Sequence, residues 1–107
     1  MGSATSLTPQ KLTHLINREE AVVFDMRDSN AFKDGHIVNA VNIQHDIEKS
    51  GQKLKKYQQQ PVVVVDANGQ KAMPMVNKLR KAGFAKVYLL SGGMAAWKTA
   101  GLPVVKK

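Results

Sequence analysis

The sequence predicts an α/β fold: an open, mostly parallel β-sheet with helices on both faces. Two observations carry that expectation. Short apolar runs at Ala21 to Phe24, Val62 to Val65 and Lys86 to Leu90 alternate along the chain with segments of helical periodicity. The run Val62-Val63-Val64-Val65 is β-branched at every position, so both of its faces need apolar cover, as in a parallel sheet flanked by helices. In such sheets the crossovers are right-handed and ligand sites lie beyond the C-terminal strand ends. That directs the search for a site to Asp25 through Asp28 and Asp66 through Lys71.

Each element has a local reason. Thr8 followed by Pro9 reads as an N-cap with proline in the first helical position, and Leu12, Leu15 and Ile16 recur at helical spacing up to Asn17. Ala21-Val22-Val23-Phe24 is a buried strand emptying into the polar Asp25-Met26-Arg27-Asp28. A short strand is expected at Ala40 to Ile43, then a weak helix, interrupted by Ser50-Gly51, whose apolar side is Ile47, Leu54 and Tyr57. After the valine strand and the loop Ala67-Asn68-Gly69-Gln70, Ala72, Met75, Val76 and Leu79 mark a helix closed by Gly83. Pro74 confines that helix's start to Lys71 to Met73, because proline is tolerated only in a first turn. Lys86 to Leu90 is a further strand, Gly92-Gly93 a tight turn, and Met94 to Ala100 a last helix with Trp97 in the core.

With 107 residues, 43% of them hydrophobic, the chain suits one domain at residues 7–105, with an N-terminal tail at 1–6 and a basic tail at 106–107. Met1-Gly2-Ser3 reads as a cloning junction, so a leader or membrane tether upstream is an alternative to a plainly cytoplasmic protein. No run approaches the roughly 20 apolar residues of a membrane span. Sixteen Lys and Arg against eight Asp and Glu give a formal charge of +8. The charges read as scattered: Lys53, Lys55 and Lys56 form one group, Lys78, Arg80 and Lys81 another, and no aromatic residues interleave them as in a single-strand binder. They are taken as solvated faces, with nucleic acid not expected as a partner. The absence of cysteine removes disulfides, thiolate metal sites and cysteine catalysis. His14, His36 and His45 lie at no metal spacing, so neither metal nor cofactor is expected.

The chemistry concentrates at Asp66 to Lys71. A strand, a six-residue loop and a helix N-terminus aim backbone N–H groups inward, a shape suited to an anion. Here the chain resembles the rhodanese family, over Leu7 to Pro103. Three stretches carry the resemblance: Asp25-Met26-Arg27 with Gly35-His36-Ile37, Ala40 and Asn42-Ile43; the strand and loop Val62 to Lys71; and Gly83-Phe84, Val87, Leu90, Gly92-Gly93 and Ala96-Trp97. The resemblance implies a three-layer α/β/α domain. It also implies transfer of sulfane sulfur from a donor such as thiosulfate to a thiophilic acceptor, through a persulfide on a cysteine at the first loop position.

In this sequence that position is Asp66, as in a bacterial branch of the family, some of whose members carry an N-terminal membrane segment. A carboxylate oxygen cannot hold a second sulfur atom, so the family reaction should be absent. Lys71 stands where many members close the loop with arginine, keeping the charge and losing the bidentate fork. Ala31 precedes Phe32 where an acid is usual.

Asp66 then has three readings. It caps its own loop, it presents fixed negative charge to a former protein partner, or it is a phosphoacceptor or general base. Lys71 is taken as the partner of Asp66, and a small anion is expected to bind weakly if at all. Asp25 and Arg27 brace the loop against the Gly35-His36-Ile37 turn, with His36 structural. The leading expectation is a catalytically inactive module that binds or scaffolds an unidentified protein. The rivals are a sulfurtransferase whose cysteine was replaced, and an aspartate-phosphorylated receiver domain, suggested by Asp25, Asp28 and the pair Met73-Pro74.

Overall fold

The computed structural model describes residues 5–43 and 53–106. Its elements, in chain order, are β1 (Ser6–Leu7), α1 (Pro9–Glu19), β2 (Val22–Asp25), α2 (Ser29–Asp34), β3 (Val41–Asn42), a 3-10 turn (Lys55–Tyr57), β4 (Val62–Val65), α3 (Ala72–Lys81), β5 (Val87–Leu90) and α4 (Gly93–Thr99). The strands form one five-stranded sheet in the order β1-β5-β4-β2-β3, with every neighbouring pair parallel.

The valine run of β4 occupies the middle of that sheet, and all four side chains are fully buried. Their alternation divides the core. Val62 and Val64 face Met75, Val76 and Leu79 of α3 with Phe24 and Phe84, whereas Val63 and Val65 face Leu12 of α1 and Met94 and Trp97 of α4. One strand thus supplies both apolar layers, because successive side chains leave opposite faces. Each valine taken fully out of water contributes roughly 1.5 to 3 kcal/mol.

Capping follows the sequence closely. The Thr8 hydroxyl accepts the Lys11 N–H at 3.2 Å with Pro9 opening α1, and Pro74 falls within the first turn of α3, whose N-cap is Lys71. Gly83 follows the α3 C-cap at a positive φ of 102°. Trp97 is buried, and its indole N–H donates to the Pro103 carbonyl at 2.9 Å. The C-terminal strap is pinned by an antiparallel bridge between His36 and Val105.

Two local readings need correction. Ser6, read as tail, pairs with Leu89 and begins β1 at the sheet edge; two residues have no periodicity to detect, and only the edge of β5 makes them a strand. The sequence reading names no helix between β2 and β3, where Asp28 caps α2 by accepting the Ala31 N–H at 2.8 Å. The weak helix expected between β3 and β4 falls partly outside the described residues, including Ile47 and Ser50-Gly51. Within them the reading holds: Lys53 and Leu54 are helical, Lys55–Tyr57 is a 3-10 turn, Leu54 is buried, and Tyr57 is set edge-on to Phe24 at 5.8 Å.

Candidate functional site

Strands β2 and β4 end side by side, with Asp25 in register with Val65, and their C-terminal ends deliver both candidate segments to one edge of the molecule. Beyond Val65 the chain turns at once, and Asp66 is buried at 4% exposure. Its carboxylate faces its own loop: Oδ1 accepts the Gly69 N–H at 2.6 Å and Oδ2 accepts the Lys71 N–H at 2.7 Å. Within the loop Asn68 Oδ1 accepts the Gln70 N–H at 3.1 Å. The anion-shaped loop therefore contains an anion already, covalently attached, and short charge-assisted bonds of this kind are about twice as strong as neutral ones.

The loop is held from outside by the start of α4. Met94 N–H donates to the Asp66 carbonyl at 2.8 Å and Ala95 N–H to the Ala67 carbonyl at 3.0 Å. This close approach requires glycine on both sides. Gly93, at φ 58°, would place a Cβ 2.5 Å from the Asp66 carbonyl oxygen, and Gly69, at φ 89°, would place one 2.7 Å from the Gly92 nitrogen. The role of α4 was missed from the sequence, where Gly92-Gly93 signalled only a tight turn.

Lys71 corrects an expectation. Among the described residues the one ion pair is Arg27 with Asp25; the Lys71 side chain is exposed, and what reaches Asp66 is the Lys71 amide rather than its ammonium. An exposed ammonium gains little by leaving water for a carboxylate that two amides already serve. Ala67, Asn68 and Gln70 are also exposed, so the loop offers a polar surface.

Asp25 and Arg27 tie the end of β2 to the Gly35 turn, and among the described residues neither side chain hydrogen-bonds to residues 66–71, the loop they were expected to brace. Asp25, buried at 1% exposure, receives the Arg27 guanidinium through Nη2 at 2.7 Å and Nε at 3.0 Å, and Nη2 also donates to the Gly35 carbonyl at 2.8 Å. The Asn42 amide donates to the backbone carbonyls of both Asp25 and Arg27. His36 is buried, stacked on Phe32 at 3.8 Å, with Nδ1 2.7 Å from the Phe32 carbonyl oxygen. That contact makes Nδ1 the donor and ties the ring to α2, a structural use. The three acids that suggested a phosphoacceptor pocket are each committed elsewhere: Asp25 to Arg27, Asp28 to the α2 cap, and Asp66 to its loop.

Comparison with known proteins agrees with this architecture. A profile of the rhodanese-like domain matches residues 8–100. The uncharacterized protein YibN of Escherichia coli is 39% identical over 102 residues, covering 94% of this chain and 71% of that protein. The thiosulfate sulfurtransferase GlpE of Pseudoalteromonas translucida is 31% identical over 91 residues, covering 80% of this chain and 81% of the relative. Among solved structures, a rhodanese-related protein from Thermoplasma volcanium superposes with a TM-score of 0.80 at 26% identity, covering 96% of this chain and 99% of that one. A thiosulfate sulfurtransferase from Pseudomonas aeruginosa gives a TM-score of 0.83 at 23% identity, a likeness of fold that covers 95% of this chain and 19% of that chain.

Proposed function

The chain belongs to the rhodanese-like domain family, and from that premise we propose that it is a member without sulfur-transfer activity, acting as a binding or scaffolding module, with Asp66 at the position of the persulfide-forming cysteine. Sulfane transfer from thiosulfate needs a thiolate to attack the outer sulfur, expel sulfite and carry the sulfur as a persulfide. The chain has no cysteine, and oxygen is too hard and too weakly polarisable for that step. The single observation carrying the proposal is the Asp66 carboxylate, which accepts the Gly69 and Lys71 N–H groups that would otherwise converge on a bound anion. A loop closed in this way is rigid and presents Asn68 and Gln70 outward, which suits recognition by a protein surface.

The test is direct. Incubation with thiosulfate and cyanide should give no thiocyanate above a heat-denatured control, and the intact mass should show no gain of a sulfur atom; turnover or a sulfur adduct would sink the proposal. Affinity capture with the wild-type protein, beside a variant with Asn68→Ala and Gln70→Ala, should show a partner held by the first and lost from the second. A capture profile identical for both would mean that the loop is not the docking surface.

A further inference from the structure

The distribution of charge plays no part in the site above. Residues 1–48 hold four of the sixteen basic residues and seven of the eight acids, whereas residues 49–107 hold twelve basic residues and one acid. That one acid is Asp66, buried and turned into its own loop. The fold converts the imbalance into a surface. Leu54 and Tyr57, on the segment bearing Lys53, Lys55 and Lys56, pack into the same cluster as Met75, Val76 and Leu79 of α3. The Gln58 side-chain amide donates to the Ala82 carbonyl at 3.0 Å, so this segment abuts the last turn of α3, which carries Lys78, Arg80 and Lys81. Two basic groups more than twenty residues apart in sequence thus share one side of the sheet, and all six side chains belong to exposed residues.

Helix electrostatics accounts for part of this, since cations in a last turn are favoured by the carbonyl end. It accounts less well for Lys53, Lys55 and Lys56, of which the last two lie within a 3-10 turn of only three residues. Among the described residues none of the six has an ion-pair partner, and like charges so gathered repel one another.

We propose that this basic face docks the domain on an anionic lipid bilayer. Eleven of the twelve basic residues in 49–107 are lysine, a point charge without the fork that reads phosphates and base edges bidentately. The exception, Arg80, is held by the Val87 carbonyl and the Thr5 hydroxyl. The rings beneath the face give no platform for base stacking: Phe84 is buried, and Tyr57 is half-buried against Phe24. A diffuse lysine surface without exposed aromatics matches a plane of headgroup charge better than a nucleic-acid strand. Docking in this way would set the Asp66 loop, at the opposite end of α3, about 15 Å from the anchoring turn.

Co-sedimentation with vesicles of phosphatidylcholine alone and of phosphatidylcholine mixed with phosphatidylglycerol tests it. Binding should appear only with the anionic vesicles and weaken as salt is raised. Each lysine near such a surface contributes roughly fivefold to partitioning, so the triple variant Lys55→Glu, Lys56→Glu, Lys78→Glu should bind about 100-fold or more weakly. The matched variant Lys11→Glu, Lys33→Glu, Lys98→Glu changes net charge equally but on other elements, and should lose less than about fivefold, because screening confines the attraction to roughly 10 Å. Circular dichroism confirms that both fold, and glutamine at the same positions replaces glutamate if the first does not. Equal loss in the two variants, absence of binding to anionic vesicles at low salt, or release from vesicles by polyuridylate at equal phosphate concentration would each overturn the proposal.

Discussion

Replacing Asp66 by alanine deletes the one acceptor that serves two loop amides, and its cost can be worked from the geometry. The lost bonds are 2.6 and 2.7 Å long and end on a side chain 4% exposed. Bonds to a charged group contribute about 1.5 to 3 kcal/mol each, but the wild type also bears the desolvation penalty of a buried carboxylate, which offsets much of that sum. Helix caps, the nearest measured analogue, lose about 0.5 to 2 kcal/mol on substitution by alanine. Two bonds rather than one place Asp66→Ala near the top of that range, about 2 kcal/mol. In a domain of this size that corresponds to a fall in Tm of roughly 8 °C. Urea denaturation followed by the fluorescence of Trp97, which sits in the core layer of α1 and α4, should show the midpoint moving and the slope unchanged. The vacated cradle should also take up sulfate, so that adding sulfate raises the Tm of the variant and leaves the wild type unmoved. Stability within about 0.5 kcal/mol of wild type, together with no sulfate effect, would refute the reasoning and mean that the two amides find water without cost.

Asp66→Cys should place a thiol under the same amides and beside the N-terminus of α3, lowering its pKa below the usual value of about 8.5; rapid alkylation by iodoacetamide near neutral pH checks this, and ordinary thiol reactivity would mean that the loop geometry depends on the carboxylate. Arg27→Ala should cost about 3 to 5 kcal/mol, because it leaves the Asp25 carboxylate buried without its partner and the Gly35 carbonyl without its donor; chemical denaturation measures it, and a loss under about 1 kcal/mol would show that water replaces the guanidinium. Gly93→Ala should destabilise by at least about 2 kcal/mol, through a positive φ of 58° and a Cβ driven against the Asp66 carbonyl; a variant as stable as wild type would mean that α4 can move off the loop freely.

Much of the fold was legible because its signals are local. A four-valine run is β-branched throughout and needs apolar cover on both faces, which the centre of a helix-flanked parallel sheet supplies. Thr8-Pro9, Pro74 and Gly83 place helix ends by backbone chemistry that does not depend on neighbours. The family resemblance was legible for a similar reason: its motifs, such as Asp25-Met26-Arg27 and Gly83-Phe84 through Trp97, sit at the turns and strand ends that make the fold. The short elements were not legible. Ser6–Leu7 is a strand only because β5 offers it an edge, and α2 spans six residues of modest propensity, announced by Asp28 alone.

The site divides along the same line. The sequence by itself determined which residues are present: an aspartate at the head of the loop after β4, and no cysteine among the 107 residues. Only the tertiary structure decided how the aspartate is used. The α4 amides and Gly93 press the loop closed, so the Asp66 carboxylate meets the Gly69 and Lys71 amides while the Lys71 ammonium stays in water. The same holds for the basic residues of the second half of the chain, six of which, from two separate segments, share one side of the sheet. Contact between α3 and the segment before β4 is made by Leu54, Tyr57 and Gln58 meeting residues far away in sequence, and the burial of those residues carries the lysines together.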